Sequence, residues 1–136
     1  MMKRTLFALG APLLLALFLL TSSQAFAASS QVNIPLNNFS ASCTNIRVTS
    51  DGVLHATCKT RAGQPSVTEL DLRPHVGNNN GTLFANGNNF NLSCQNIGGA
   101  RVLTAKCFTR NHVLINTQLD LNPNVNNNDG VLQWQF

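Results

Sequence analysis

The 136-residue chain contains no tyrosine, a single tryptophan and two methionines, and only 10% of its residues are charged. Each scarcity closes off a class of function. Nine Lys and Arg stand against five Asp and Glu, and the balance falls to +2 once Lys3 and Arg4 are set aside with the N-terminal segment. Electrostatic nucleic-acid binding needs cations clustered along one face, so no nucleic-acid partner is expected. His55, His75 and His112 have no metal-ligand spacing, and no cysteine pair has C-x-x-C spacing, so nothing completes a zinc set. No aspartate-rich loop matches a calcium site, and neither a metal nor a cofactor is expected. Long apolar runs are absent from most of the chain as well.

The exception is Leu6 to Leu20, interrupted only by Gly10 and Pro12, with Lys3 and Arg4 before it and Ala25-Phe26-Ala27 after it. A basic start, an apolar stretch and a small-x-small site form the pattern of a secretory signal peptide and not that of a membrane anchor. Residues 1–27 are read as signal peptide, 28–36 as an N-terminal segment and 37–136 as one domain, secreted or periplasmic, with no membrane insertion after cleavage. A chain of about 109 residues buries roughly 60–70% of its unfolded surface in one core, which excludes a multidomain enzyme.

What the chain has in quantity is asparagine, 19 in all, every one beyond the signal. Asn forms turns, and its amide both donates and accepts hydrogen bonds, so the expected surface is neutral, polar and rich in tight turns. The four cysteines, Cys43, Cys58, Cys94 and Cys107, belong to a chain bound for an oxidising compartment. Four cysteines allow three pairings. The near-equal spacing within the first two and the last two favours local bridges Cys43–Cys58 and Cys94–Cys107. Each would constrain the unfolded chain by about 3 kcal/mol.

The domain repeats itself once, over 37–87 and 88–136. Asn38-Phe39 matches Asn89-Phe90, and Ser42-Cys43 matches Ser93-Cys94. Beyond a length change at turn residues Asp51-Gly52 and Gly98-Gly99, read as hairpin tips, the match resumes. It runs through Thr60-Arg61 and Thr109-Arg110, Leu70-Asp71-Leu72 and Leu119-Asp120-Leu121, and Gly81 and Gly130. Strands are predicted at Val53 to Thr60 and Val102 to Thr109, and at Val67 to Leu72 and Asn116 to Leu121, where apolar and polar residues alternate. Pro74 and Pro123 stop the latter pair, and an Asn-rich turn leads to a last strand, Thr82 to Ala85 or Val131 to Phe136. No helical periodicity follows the signal. The class is all-β, with one core shared by two small repeats.

Asn-Phe-x-x-Ser-Cys, Cys-x-Thr-Arg, Leu-Asp-Leu and Asn-x-x-Gly-x-Leu, in this order and present twice between Asn38 and Phe136, resemble the cyanovirin-N homology lectins. The resemblance implies a pseudo-symmetric fold of two tandem sequence repeats exchanging strands, with two local disulfides. It also implies binding of mannose-type oligosaccharides or glycoproteins, without metal or catalysis, by a monomer or a strand-exchanged dimer.

Carried over residue by residue, the second-repeat pocket comprises Gly77, Asn78, Asn80, Asn88, Asn89, Ser93, Phe108, Thr109, Arg110 and His112. The first-repeat pocket comprises Asn38, Ser42, Lys59, Thr60, Arg61, Asn126, Asn127 and Asp129. Short neutral donors and acceptors pair sugar hydroxyls without burying net charge. The chain departs from the family at Gly77 and Asn80, where acidic residues are common, and at Lys59, which is expected to pair with Asp129 and compete with sugar. Replacing Asn78 and Asn89 with Ala is expected to weaken binding and leave thermal stability nearly intact.

Catalysis by Asp71 and Asp120 is disfavoured, because each precedes a proline in its own repeat, whereas glycosidases need two carboxylates flanking one bond. Trp134, whose repeat counterpart is Ala85, is assigned to closing the core. The competing reading is a secreted, disulfide-stabilised protein with degenerate sugar sites that binds a protein or microbial-surface partner. Sequons at Asn38, Asn80 and Asn91 would place glycans on the proposed pockets in a eukaryotic secretory route, which suits bacterial export better.

Overall fold

Alternation in the two segments after the hairpin tips sends Leu54, Ala56 and Cys58, and likewise Leu103, Ala105 and Cys107, to a buried face, and each segment becomes the middle strand of a three-stranded antiparallel sheet. The computed structural model describes residues 38–136; the signal-peptide reading and the segment 28–36 lie outside the described residues. The first sheet joins β1 (Cys43–Val48), β2 (Val53–Lys59) and β3 (Pro65–Asp71), and is followed by the hairpin β4 (Val76–Asn79) and β5 (Thr82–Ala85). The second repeat gives the sheet β6 (Cys94–Gly99), β7 (Val102–Phe108) and β8 (Leu114–Asp120), then the hairpin β9 (Val125–Asn128) and β10 (Val131–Trp134). A short 3-10 turn precedes each sheet, Phe39–Ala41 and Phe90–Leu92.

The Asn-rich segments differ from the sequence reading. Val76–Asn79 and Val125–Asn128 are strands, and the turn shrinks to Asn80-Gly81 and Asp129-Gly130, all four with positive φ. That backbone is the one Gly, Asn and Asp tolerate. The second hairpin tip also moves, because Gly98 and Gly99 end β6 and the reversal falls on Ala100 and Arg101. Gly99 has φ 100°, and a Cβ there would lie 2.1 Å from the Val102 carbonyl oxygen. In each sheet the first strand pair carries a bulge, with Asn45 and Asn96 left-handed at the shift in register.

Each hairpin packs on the sheet of the other repeat. The Leu132 N–H of β10 donates to Thr68 Oγ1 of β3, and the Leu83 N–H of β5 donates to Thr117 Oγ1 of β8, both at 3.0 Å. The fold is therefore all-β and formed of two repeats that exchange hairpins. The disulfides are local, Cys43–Cys58 and Cys94–Cys107, and each ties the first strand of a sheet to its neighbour. One core unites the repeats through related residues: Phe39 and Phe90, Leu54 and Leu103, Leu72 and Leu121, Val76 and Val125 are all fully buried. Each such side chain contributes about 1.5–3 kcal/mol by leaving water.

Trp134 joins that core with its ring stacked on His75 at 5.0 Å, while its Nε1–H donates to Asn86 Oδ1 at 3.0 Å. At the same junction Gly87 lies against Gly77, and a Cβ on Gly87 would stand 2.6 Å from the Gly77 Cα.

Candidate functional site

Hairpin exchange brings the tip of β4–β5 from the first repeat against the 3-10 turn and the end of β7 in the second. Asn78 is the joint between them. Its Nδ2 donates to Ser93 Oγ at 2.9 Å and to the Phe108 carbonyl at 3.0 Å, and its Oδ1 accepts the Gly81 N–H at 2.8 Å. Two residues on, Asn80 Oδ1 accepts the Arg110 N–H at 2.9 Å. Thr109 Oγ1 accepts the Val113 N–H at 3.2 Å and holds the turn that leaves β7. The result is an open cleft of about 520 Å³ lined by Asn78, Asn79, Asn80, Leu92, Ser93, Phe108, Thr109, Arg110 and His112.

Seven residues assigned to the second-repeat pocket from the sequence line this cleft: Asn78, Asn80, Ser93, Phe108, Thr109, Arg110 and His112. Gly77, Asn88 and Asn89 are not among its lining residues. Gly77 is buried against Phe84 and Gly87, where a side chain would collide. Asn89 is exposed at the start of the 3-10 turn with φ 56°; its N–H donates to the Arg73 carbonyl at 2.7 Å and its side chain turns to the exposed Asn88. Asn79 and Leu92 complete the lining without a signal of their own in the sequence, beyond lying within the carried-over segments.

The first-repeat residues form the same skeleton in the other half. Asn127 Nδ2 donates to Ser42 Oγ and to the Lys59 carbonyl, both at 2.9 Å, and its Oδ1 accepts the Gly130 N–H at 2.8 Å. Asp129 Oδ1 accepts the Arg61 N–H at 2.8 Å, and Thr60 Oγ1 accepts the Gln64 N–H at 3.1 Å. The expected Lys59–Asp129 ion pair does not form among the described residues, because the turn aims the carboxylate at the Arg61 backbone. Asn38 and Asn126 stand outside this network. Asn38 Oδ1 accepts the Ser40 hydroxyl at 3.1 Å, and Asn126 pairs with Gln133 across β9–β10.

Asp71 and Asp120 lie in different sheets and serve the turns that follow them. Asp71 Oδ1 accepts the Arg73 N–H at 2.9 Å and its two oxygens take the guanidinium at 2.8 Å, which holds the carboxyl below the usual carboxylate range. Asp120 Oδ1 accepts the Asn122 N–H at 3.0 Å. Among the described residues no three His, Cys, Asp or Glu side chains gather to hold a metal ion.

Residues 39–133 match the family model described as the CVNH domain. Among solved structures, the chain is similar to the CVNH protein of T. borchii, with 31% identity, a TM-score of 0.65, and 72% of this chain and 99% of that one covered. It is similar to microvirin in a complex with mannobiose, with 32% identity, a TM-score of 0.61 and coverage of 72% and 98%. The CVNH protein of Gibberella zeae aligns at 28% identity with a TM-score of 0.66, covering 72% and 97%. No curated protein matches the chain.

Proposed function

The chain belongs to the cyanovirin-N homology family, and from that premise we propose that it is a secreted, non-enzymatic lectin that binds mannose-rich glycans in two metal-independent sites, one per half. The observation that carries this reading is the amide of Asn78. It spends its hydrogen bonds on Ser93, Phe108 and Gly81, and so fixes segments of both repeats around an open polar cleft. A prepaid framework of this kind leaves Asn79, the Asn80 amide nitrogen, Thr109 and Arg110 to meet sugar hydroxyls without reorganising. Each net hydrogen bond is worth roughly 1 kcal/mol, so a weak monosaccharide site is expected, with avidity arising from two sites on dense glycans. The binding of mannobiose by microvirin, at 32% identity, supports the choice of mannose.

A glycan array on the purified protein, with and without a chelator, followed by titration calorimetry with mannobiose, tests the proposal. Chelator-independent binding of oligomannose supports it. Loss of all glycan binding, with retention on a protein ligand, would replace it with the partner-binding alternative.

A further inference from the structure

The two half-sites share one hydrogen-bond skeleton and differ in charge. In the second-repeat cleft each framework oxygen accepts one hydrogen bond from the protein: Asn78 Oδ1 from Gly81, Asn80 Oδ1 from Arg110, Ser93 Oγ and the Phe108 carbonyl from Asn78, and Thr109 Oγ1 from Val113. Facing a ligand are neutral donors and acceptors, the hydroxyls of Ser93 and Thr109 and the amides of Asn79 and Asn80, and one formally charged group, the Arg110 guanidinium. No carboxylate lines the cleft, and among the described residues none is paired with the Arg110 side chain. In the other half the position of Asn80 is held by Asp129, whose Oδ1 accepts the Arg61 N–H and whose second carboxylate oxygen has no hydrogen bond among the described residues. That oxygen would accept sugar hydroxyls and repel an anion. A site with a free guanidinium, neutral donors and no acid instead complements a planar carboxylate, which Arg holds through two parallel N–H···O bonds.

We propose that the second-repeat cleft, which also admits the neutral mannose unit, prefers its acidic counterpart, a hexuronate residue, with the carboxylate on the Arg110 guanidinium and the Asn80 amide. The first-repeat site, with Asp129, keeps to neutral sugars. The proposal rests on reading the cleft as a sugar site and names the sugar's chemistry there.

The test is calorimetric titration of the full chain at low ionic strength with a mannuronate disaccharide and with its carboxyl-reduced counterpart of the same linkage. A charge-assisted pair outweighs a neutral hydrogen bond by enough to make the uronate bind about tenfold more tightly, with the difference shrinking as salt rises. Arg110→Gln is expected to weaken the uronate about tenfold more than the neutral disaccharide. Asn80→Asp, which copies Asp129 in the same turn, is expected to reverse the preference. Asp129 shows that the turn accepts the residue, and circular dichroism checks that each variant is folded. If the neutral disaccharide binds and the uronate binds no tighter, or if Arg110→Gln weakens both equally, the proposal falls and the lectin reading stands. If neither binds, both fall.

Discussion

Asn80 and Arg110, which belong to different repeats, are joined by the Arg110 N–H donating to Asn80 Oδ1 at 2.9 Å, and in the opposite half Asp129 accepts the Arg61 N–H at 2.8 Å. An amide oxygen and a carboxylate oxygen do the same structural work at related positions with φ of 50° and 52°. Asp129→Asn should therefore keep its stability within about 0.5 kcal/mol of the parent, read as an unchanged urea midpoint. A loss of 2 kcal/mol or more would mean that the carboxylate's charge holds the turn.

Asn78→Ala removes three hydrogen bonds from a half-buried amide and leaves the Gly81 N–H and Phe108 carbonyl without their partner. A cost of about 2–3 kcal/mol is expected, together with loss of sugar binding. Asn89→Ala keeps φ 56° but removes the short polar side chain that lets Asn tolerate left-handed backbone, and costs about 1 kcal/mol, although that side chain does not line the cleft. For the double change a loss of stability is therefore expected where the sequence alone suggested none. Thermal melts of the two single variants check it, as does an Asn89→Ala titration showing glycan affinity close to that of the parent.

His75 carries its ring against Trp134 at 5.0 Å, and burial lowers its pKa from the ordinary 6.5, with Asp71 opposing the shift. A folded-state pKa below the unfolded one means that the unfolded chain takes up the proton first. Stability is complete above pH 6.5 and declines as pH falls from there through the folded-state value. His75→Asn, which borrows the residue of its repeat counterpart Asn124, should flatten that decline. Denaturant midpoints measured from pH 7.5 to 5 for parent and variant provide the comparison; equal slopes would contradict it.

Gly87→Ala sets a methyl group 2.6 Å from the Gly77 backbone and 2.7 Å from the Phe84 ring, so one of them must move. Overpacking of this kind costs roughly 1–3 kcal/mol, and backbone on one side puts the expectation at the upper end. Because Asn86 and Trp134 are hydrogen-bonded beside it, tryptophan fluorescence should shift in the variant. An unchanged melting temperature and spectrum would show that the junction yields freely.

Most of the residues that line the cleft were legible through the family resemblance, whose motifs the chain states twice. Ser93 directly precedes a cysteine and Thr109 and Arg110 follow one, at spacings that Ser42, Thr60 and Arg61 repeat, and it is the likeness of this doubled pattern to the family that marks them out from ordinary surface polar residues. Gly77, Asn88 and Asn89 lie off the lining of the cleft, since adjacency in sequence does not settle which side of a strand or turn a residue faces. At Gly77 the close approach of Gly87 removes the side-chain space altogether. Leu92 was passed over because nothing in an isolated Leu distinguishes a core position from the lip of a cleft.

By itself the sequence determined the all-β class, the duplication and the pairing of cysteines within each repeat, since period-two alternation and short cysteine loops are local properties that survive without knowledge of neighbours. Only the tertiary structure decided that Thr68 holds Leu132 and Thr117 holds Leu83, so that the Asn78 and Asn127 networks each join residues of both repeats. Hairpins alike in sequence can satisfy the same backbone groups on either sheet, and the choice between the two lies in packing and chain connection, not in any local pattern.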